Sequence, residues 1–409
     1  MCASVALAAL AYASAIVGRD GLSYFYVENS VSSASQVLAD KAIQLNPANP
    51  DAFQARAALF QKEDQIDRAI EDLNRAVALR PGDHFLWLER GYCRYLTHDL
   101  KGAIADFRIS ASLAPAYAQP RWYLGNLLLE AGKTDEGFDQ IRRAVASGQG
   151  YLPEAILLAA DIYHGNPQAI RDAIRPQSSA NRLALAQYFI SHEAVSMAME
   201  LFAEAGANID SADRKILINN LVAAKRFSEA YQLWLVDQPR KDKGSAQALI
   251  NDAGFEADPE VGPPNFAWRI SPTLQRVSLS REEGGRQPDS FSLRVDFNGI
   301  SPVDTPLLSQ ILMVDPAVQY RLDFDYRSRQ LVTGGPPIVA IIDSNDGQVL
   351  ARSNPIPENH PEWSQESIDF SPGAATRAVT IMIKRSACST TPCPAFGHAW
   401  FGNFMLTRN

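Results

Sequence analysis

The chain changes its hydrophobic period part-way along. From Val31 to Val236 apolar residues return every three or four positions, the spacing that lines one face of a helix. From about Leu249 they alternate with polar residues, the spacing of a strand with one buried face. Helices are predicted over Val31–Leu45, Ala155–Tyr163, Arg182–Phe189, Ala194–Ala205, Asp213–Ala224 and Ser228–Val236. Strands are predicted over Ser290–Asn298, Val318–Tyr326, Ile338–Ile342, Val349–Arg352, Ala378–Lys384 and Ala399–Leu406. Between Ile342 and Val349 lies a loop, Asp343 to Gly347, that ends in the Asp-Gly turn signal. Eight or so short strands with one apolar face make an antiparallel sandwich. The expected fold class is therefore multidomain α + β: an α-solenoid followed by an antiparallel β-sandwich, or jelly roll.

Inside the helical half a phrase repeats. Leu-Asn-Pro47, Leu-Arg-Pro81 and Leu-Ala-Pro115 are spaced 34 and 34 residues apart. The unit ending at Pro81 carries Phe53, Ala57, Phe60, Ala69, Leu73 and Ala76. At the same offsets the unit ending at Pro115 carries Trp87, Gly91, Arg94, Ala103, Phe107 and Ser110. The next unit keeps Gly125, Gly137, Ile141 and Ala144, with Leu124 beside the first glycine. It displaces its aromatic, Trp122, by one and closes on Gly148-Gln149-Gly150. Small residues let two antiparallel helices approach, large apolar ones fill the groove to the next pair, and the proline forces the turn. Val31–Leu45 is read as the second helix of an earlier unit, with Ala42 in register. This pattern resembles the tetratricopeptide repeat, which implies a solenoid whose concave face holds an extended protein partner and performs no chemistry. Repeats are expected over 21–150 and degenerate helical pairs over 151–236, where Arg226 to Ala230 resembles the start of a second repeat helix.

Composition narrows the function classes. The chain has 409 residues, 46% hydrophobic and 21% charged, with a formal net charge of −8. No Lys/Arg run is long enough for a nucleic-acid face. Arg240-Lys241-Asp242-Lys243 reads instead as part of a solvated linker, 237–248. Residues 2–17 carry no charge. They suit a signal peptide or membrane anchor over 1–20, or else an Ala-rich helix packed on the first repeat. Ala13-Ser14-Ala15 resembles a cleavage site, whereas no basic leader precedes the apolar run and Cys2 lies on the wrong side of it for a lipoprotein. The expected location is the bacterial cell envelope, periplasmic or membrane-anchored. Four cysteines form no CxxC pair. Cys388 and Cys393 suit a disulfide in an oxidising compartment or a pair of free thiols, and Cys93 reads as a buried helix residue.

The second half carries a further resemblance. Asn251-Asp-Ala-Gly-Phe-Glu256, Phe266-Ala-Trp-Arg269 and Ala399-Trp-Phe-Gly-Asn-Phe-Met-Leu406 resemble the opening and closing phrases of galactose-binding-like, or family 4/9-type, carbohydrate-binding sandwiches. The resemblance covers 249–409. It implies a structural calcium near Glu256 and Asn403, with Asn403 standing where a carboxylate is usual; alternatively the two cap strand pairing. Sugar rings stack on exposed aromatics, for which Trp268, Trp363, Tyr326 and Trp400 are available, with Arg327 and Gln310 as polar neighbours. Each of these aromatics also has a core reading. Trp363, in a loop-like Pro361-Glu-Trp-Ser364, is expected to be the most exposed. Repeats joined to such a module resemble proteins of bacterial exopolysaccharide assembly or export.

Catalytic signatures are missing. Six histidines are scattered, and HExxH, GxSxG and phosphate-cradling glycine loops do not occur. Asp323 and Asp325 share one strand face, about 7 Å apart, and read as a solvated face. The chain is read as non-enzymatic, with no cofactor beyond that calcium. Its partners are a protein on the repeats, possible polysaccharide and, through the N-terminus, a membrane. The rival functions are a carbohydrate-binding receptor and a ligand-free structural subunit of a membrane complex.

Overall fold

The computed structural model describes residues 2–206, 209–236, 238, 249–287, 290–301, 303, 305–388 and 392–409. The linker predicted over 237–248 lies outside the described residues apart from Gln238. The chain forms two compact units, residues 1–177 and 178–409. The helices over 151–236 are shared between them.

The first unit runs α1 (Cys2–Ser33), α2 (Gln36–Leu45), α3 (Pro50–Lys62), α4 (Ile66–Leu79), α5 (His84–Leu96), α6 (Leu100–Leu113), α7 (Ala118–Glu130), α8 (Thr134–Ser147), α9 (Leu152–Ile162) and α10 (Pro167–Ile174). The helix predicted over 31–45 is broken at Ala34, which takes a left-handed φ of 50° while Ser35 N–H returns to Ser30 O. Helix α10 was not apparent in the hydrophobic pattern. Ser23 of α1 is buried, donating to Ala42 O at 2.9 Å and accepting from Asn49 Nδ2 at 3.0 Å, so this end of α1 packs as a repeat helix. Among the described residues no helix is long and apolar enough to cross a membrane.

The repeat has a backbone signature. The first helix of each pair ends on a left-handed residue, Asp64, His98 and Gly132, one period apart. The next N–H then closes on the carbonyl five back: Gln65 to Phe60, Asp99 to Arg94, Lys133 to Leu128. Gly165 to Ala160, Ala194 to Phe189 and Arg226 to Leu221 repeat that closure in the later pairs. Those pairs are therefore the same supersecondary unit. Asn49 and Asp83, also one period apart, cap α3 and α5 by accepting from Asp51 N–H and Phe85 N–H. The small positions do what their size allows. A Cβ at Gly125 would stand 2.6 Å from Ile141 and 3.0 Å from Gly137 O.

The second unit begins with α11 (Ser179–Ser191), α12 (Val195–Ala205), α13 (Ser211–Ala223) and α14 (Phe227–Val236). A sandwich follows: β1 (Glu260–Val261), β2 (Arg269–Ile270), β3 (Val277–Glu283), β4 (Phe291–Ile300), β5 (Pro306–Met313), β6 (Tyr320–Thr333), β7 (Pro337–Asp343), β8 (Val349–Arg352), β9 (His360–Phe370), β10 (Ala378–Arg385) and β11 (Pro394–Arg408). One sheet has the order β1-β2-β5-β10-β7-β8, the other β3-β4-β11-β6-β9, and every pairing but β1–β2 is antiparallel. Leu293, Phe324, Ile341, Ile381 and Phe401 meet between the sheets. Phe266 is buried against Tyr231 and Trp234 of α14, ring centres 5.0 and 5.9 Å away, which ties α11–α14 to the sandwich.

Candidate functional site

The residues expected to form one sugar site separate onto different surfaces. Trp268 is 3% exposed, packs on Phe255 and Phe404, and donates its Nε1–H to Asp252 O at 3.1 Å. It is a core residue and offers no stacking face. Gln310 is buried on β5 in the other sheet, where its amide accepts from Asn251 N–H and donates to Asn251 O, pinning the entry loop. Tyr326 and Arg327 are neighbours on β6 and so point to opposite faces. Tyr326 lies with Phe324 against the core, and burial pushes its hydroxyl pKa up.

Arg327 and Trp363 do come together. Trp363 is half-buried on strand β9, not in a loop. The Arg327 guanidinium stands 4.8 Å from the Trp363 ring centre and 4.6 Å from that of Trp400. Trp400, like Trp268, is buried, 4% exposed, and pairs across the sheet with Arg327 on one side and Arg294 on the other. It donates its Nε1–H to Glu282 at 2.9 Å. Along β11 the same face continues through His398, bonded to Asp296, to the exposed Phe396. This face of the five-stranded sheet is thus a guanidinium clamped between two indoles, with charged neighbours. Burial, then the charges of Arg329 and Arg294, lower the Arg327 pKa, while Glu282 opposes this. Its Nε is buried with no hydrogen-bond partner among the described residues.

Asp323 and Asp325 occupy the same face but are not solvated. Asp325 is 1% exposed, held by Arg286 Nη1 at 2.8 Å and Asn403 Nδ2 at 3.2 Å, and Asp323 accepts from Ser367. A small cavity of about 50 Å³ lies between Arg286, Asp325 and Asn403. The calcium pair expected from Glu256 and Asn403 does not fit this arrangement. Asn403 turns an N–H to Asp325, and Glu256 is exposed. Asp252 spends its carboxylate on the backbone N–H groups of Glu256 and Ala257. Among the described residues no three His, Cys, Asp or Glu converge as metal ligands. Cys388 and Cys393 are bonded to each other, and Cys93 is a buried free thiol.

The repeats present two further surfaces. On the first helices of the pairs, Phe85, Tyr92, Tyr95 and Leu96 of α5 are 40–43% exposed, and Tyr123 of α7 stands 6.1 Å from Tyr92. Beside them Glu89 accepts from Gln54 at 2.9 Å, and burial pushes its pKa up to about 7. Between successive second helices, Arg56 of α3 bridges Asp40 of α2 and Asp72 of α4, and one period later Arg90 of α5 bridges Asn74 of α4 and Asp106 of α6. One period further stand Leu124 and Gln140, and there a cleft of about 650 Å³ opens between α6 and α8. These ion-pair positions were not singled out in the sequence, although their 34-residue spacing was there to be seen.

No family model matches the chain. It is 27% identical over 135 residues to the human tetratricopeptide repeat protein 13, covering 32% of this chain and 16% of that protein. The chain thus spans about a sixth of the length of that curated relative. Among solved structures it is similar to PilF of Pseudomonas aeruginosa, at 17% identity and a TM-score of 0.31, over 55% of this chain and 90% of that one. It is also similar to the chain of "CBM4 structure and function", at 12% identity and a TM-score of 0.30, over 39% of this chain and 99% of that one. Scores near 0.3 carry no argument for a shared function.

Proposed function

We propose that this chain is a non-catalytic scaffold that holds a protein partner on its helical repeats. The observation that carries the reading is the cluster of half-exposed Phe85, Tyr92, Tyr95 and Leu96, joined by Tyr123 on the next first helix. Single exposed apolar side chains are ordinary, whereas several aromatics gathered on one surface mark an interaction site, and aromatics supply most of the energy at such contacts. Gln54 and Glu89 border the cluster with hydrogen-bonding groups. An extended segment with apolar side chains fits this surface. A photo-crosslinking residue at position 92, compared with one at the exposed Arg75, tests it in the cell of origin. The expected result is one defined partner at 92, none at 75, and loss of the product in Tyr95→Ala. Equal crosslinking at both positions sinks the reading and leaves the ligand-free structural subunit.

A second reading has its own observation, the Arg327 guanidinium held between Trp363 and Trp400. An accessible aromatic ring, here Trp363, and fixed N–H donors are the ingredients of glycan binding. A glycan array probed with the full chain, with calcium and with chelator, separates this receptor role from the scaffold role. Binding lost in Trp363→Ala supports it. The finer placement, in exopolysaccharide synthesis or export at the bacterial cell envelope, is supported by the joining of the two modules and by a disulfide, which persists in oxidising compartments.

A further inference from the structure

Arg385, the last residue of β10, is fully buried, yet its guanidinium is surrounded by neutral groups. Nε donates to Gly335 O at 3.1 Å. Nη1 donates to Ser301 O, Ser301 Oγ and Cys393 O at 2.7, 2.9 and 3.0 Å. Nη2 donates to Thr333 Oγ1 at 2.8 Å and to Cys393 Sγ at 2.9 Å. No carboxylate reaches it among the described residues, and burial lowers its pKa. A buried cation without an anion is costly. The one group in this nest that can become an anion is the sulfur of Cys393.

The surroundings are shaped to that sulfur. A Cβ at Gly335 would stand 3.5 Å from both Arg385 Nη2 and Cys393 Sγ and 2.6 Å from Ser386 O, so only glycine lets the β6–β7 loop lie here. At Gly334 a Cβ would stand 2.8 Å from Cys388 Sγ. The two sulfurs differ in access: Cys393 is buried and Cys388 half-exposed. The cysteines are only five residues apart, and so short a loop constrains the unfolded chain little. Simple stapling therefore leaves the guanidinium contact unexplained.

We propose that Cys388–Cys393 is a thiol–disulfide exchange site for a dithiol reductant, with Cys388 attacked and Cys393 released as a thiolate onto Arg385. The attacking thiolate bonds to Cys388 Sγ as the Cys388–Cys393 bond breaks, and the electron pair leaves on Cys393. The second thiol of the reductant, after losing its proton, attacks the mixed disulfide and frees Cys388, which takes up a proton. The protein disulfide gains two electrons and the dithiol is oxidised to its own disulfide. A stabilised leaving thiolate departs faster, and a stabilised reduced form makes the disulfide easier to reduce.

The test uses the full chain with Cys388→Ser, which leaves Cys393 as a free thiol beside Arg385. Thiolate absorbance near 240 nm is followed against pH, with Cys388→Ser/Cys393→Ser as the blank. Cys93 stays silent because burial pushes it up to about 12. The expected midpoint lies at least one unit below the ordinary thiol value of about 8.5. Any higher midpoint overturns the proposal. In the Cys388→Ser background, Arg385→Gln is expected to move the midpoint back upward. If that variant does not fold, the first titration still decides.

Discussion

Arg90 grips Asp106 with two N–H···O bonds of 2.9 and 2.7 Å, and Asp106 takes a third, from Arg94, at 3.0 Å. Asp106 is almost wholly buried, so its charge is supported by protein alone. Removing one partner of such a cluster strands the others, which costs on the order of 3–5 kcal/mol for a buried pair. Asp106→Asn should therefore lower the melting temperature of the first unit markedly. Arg90→Met/Asp106→Leu should recover much of the loss, because a matched apolar pair removes both buried charges and the partly exposed Arg94 keeps Asp99 at 3.8 Å. Calorimetry of the three proteins decides it; a double variant as unstable as Asp106→Asn would mean the pairing is not what holds α5 to α6.

The ladder also ends where the cleft begins. Arg56 and Arg90 fill the space between successive second helices, and at the third equivalent position Leu124 does not reach. Filling is tight one residue on. A Cβ at Gly125 would press on Ile141 and on the backbone of Gly137 at 2.6 and 3.0 Å. Gly125→Ala should cost about 1–3 kcal/mol by overpacking, despite alanine's better helix propensity. Denaturant unfolding measures this, and a stabilised variant would show that α7 and α8 have room to part.

The first half was legible because four kinds of signal share one period. Pro47, Pro81 and Pro115, the small positions, the apolar positions and the turns all recur every 34 residues. The later pairs close on Gly165, Ala194 and Arg226, at steps of 32, 29 and 32 from Lys133, so no fixed offset exposes them. In the sandwich, strand β5 was missed because Leu307 to Leu312 is buried on both faces and does not alternate. Pro361, two residues before Trp363, gives this stretch the look of a loop; β9 is an edge strand, where proline is tolerated. The site itself was half visible. Trp363 and Arg327 meet, whereas Trp268, Gln310 and Tyr326 belong to the core or the other sheet. Composition cannot say which aromatic a sandwich turns outward.

Glu89 makes the repeats sensitive to pH. Burial raises its folded-state pKa from the ordinary 4.5 to about 7, with Gln54 opposing the shift. For an acid whose folded pKa is raised, folding favours the protonated form. The contribution is fully present below about 4.5 and is lost as pH rises through about 7. Glu89→Gln keeps an acceptor for Gln54 and removes the charge. It should match the parent at pH 4 and exceed its stability at pH 8, by on the order of 1–3 kcal/mol. Melting curves across that range check the sign. The same substitution should make partner binding at the Tyr92 surface less dependent on pH.

Arg327 allows the structural and binding roles of the sandwich face to be separated. Its guanidinium is held between Trp363 and Trp400, with Glu282 no closer than 3.9 Å and a buried Nε that bonds to nothing among the described residues. An unsatisfied buried donor costs about 1–3 kcal/mol, which stacking on two rings repays only in part. Replacing it with a long apolar side chain should therefore be nearly neutral for folding. Arg327→Met is expected to leave the melting temperature unchanged or slightly raised. If the face binds glycan, the same variant loses affinity, because it removes the oriented donors while leaving both indoles. A Met variant that melts several degrees lower, with glycan binding intact, would make Arg327 a packing residue and end the receptor reading at this face.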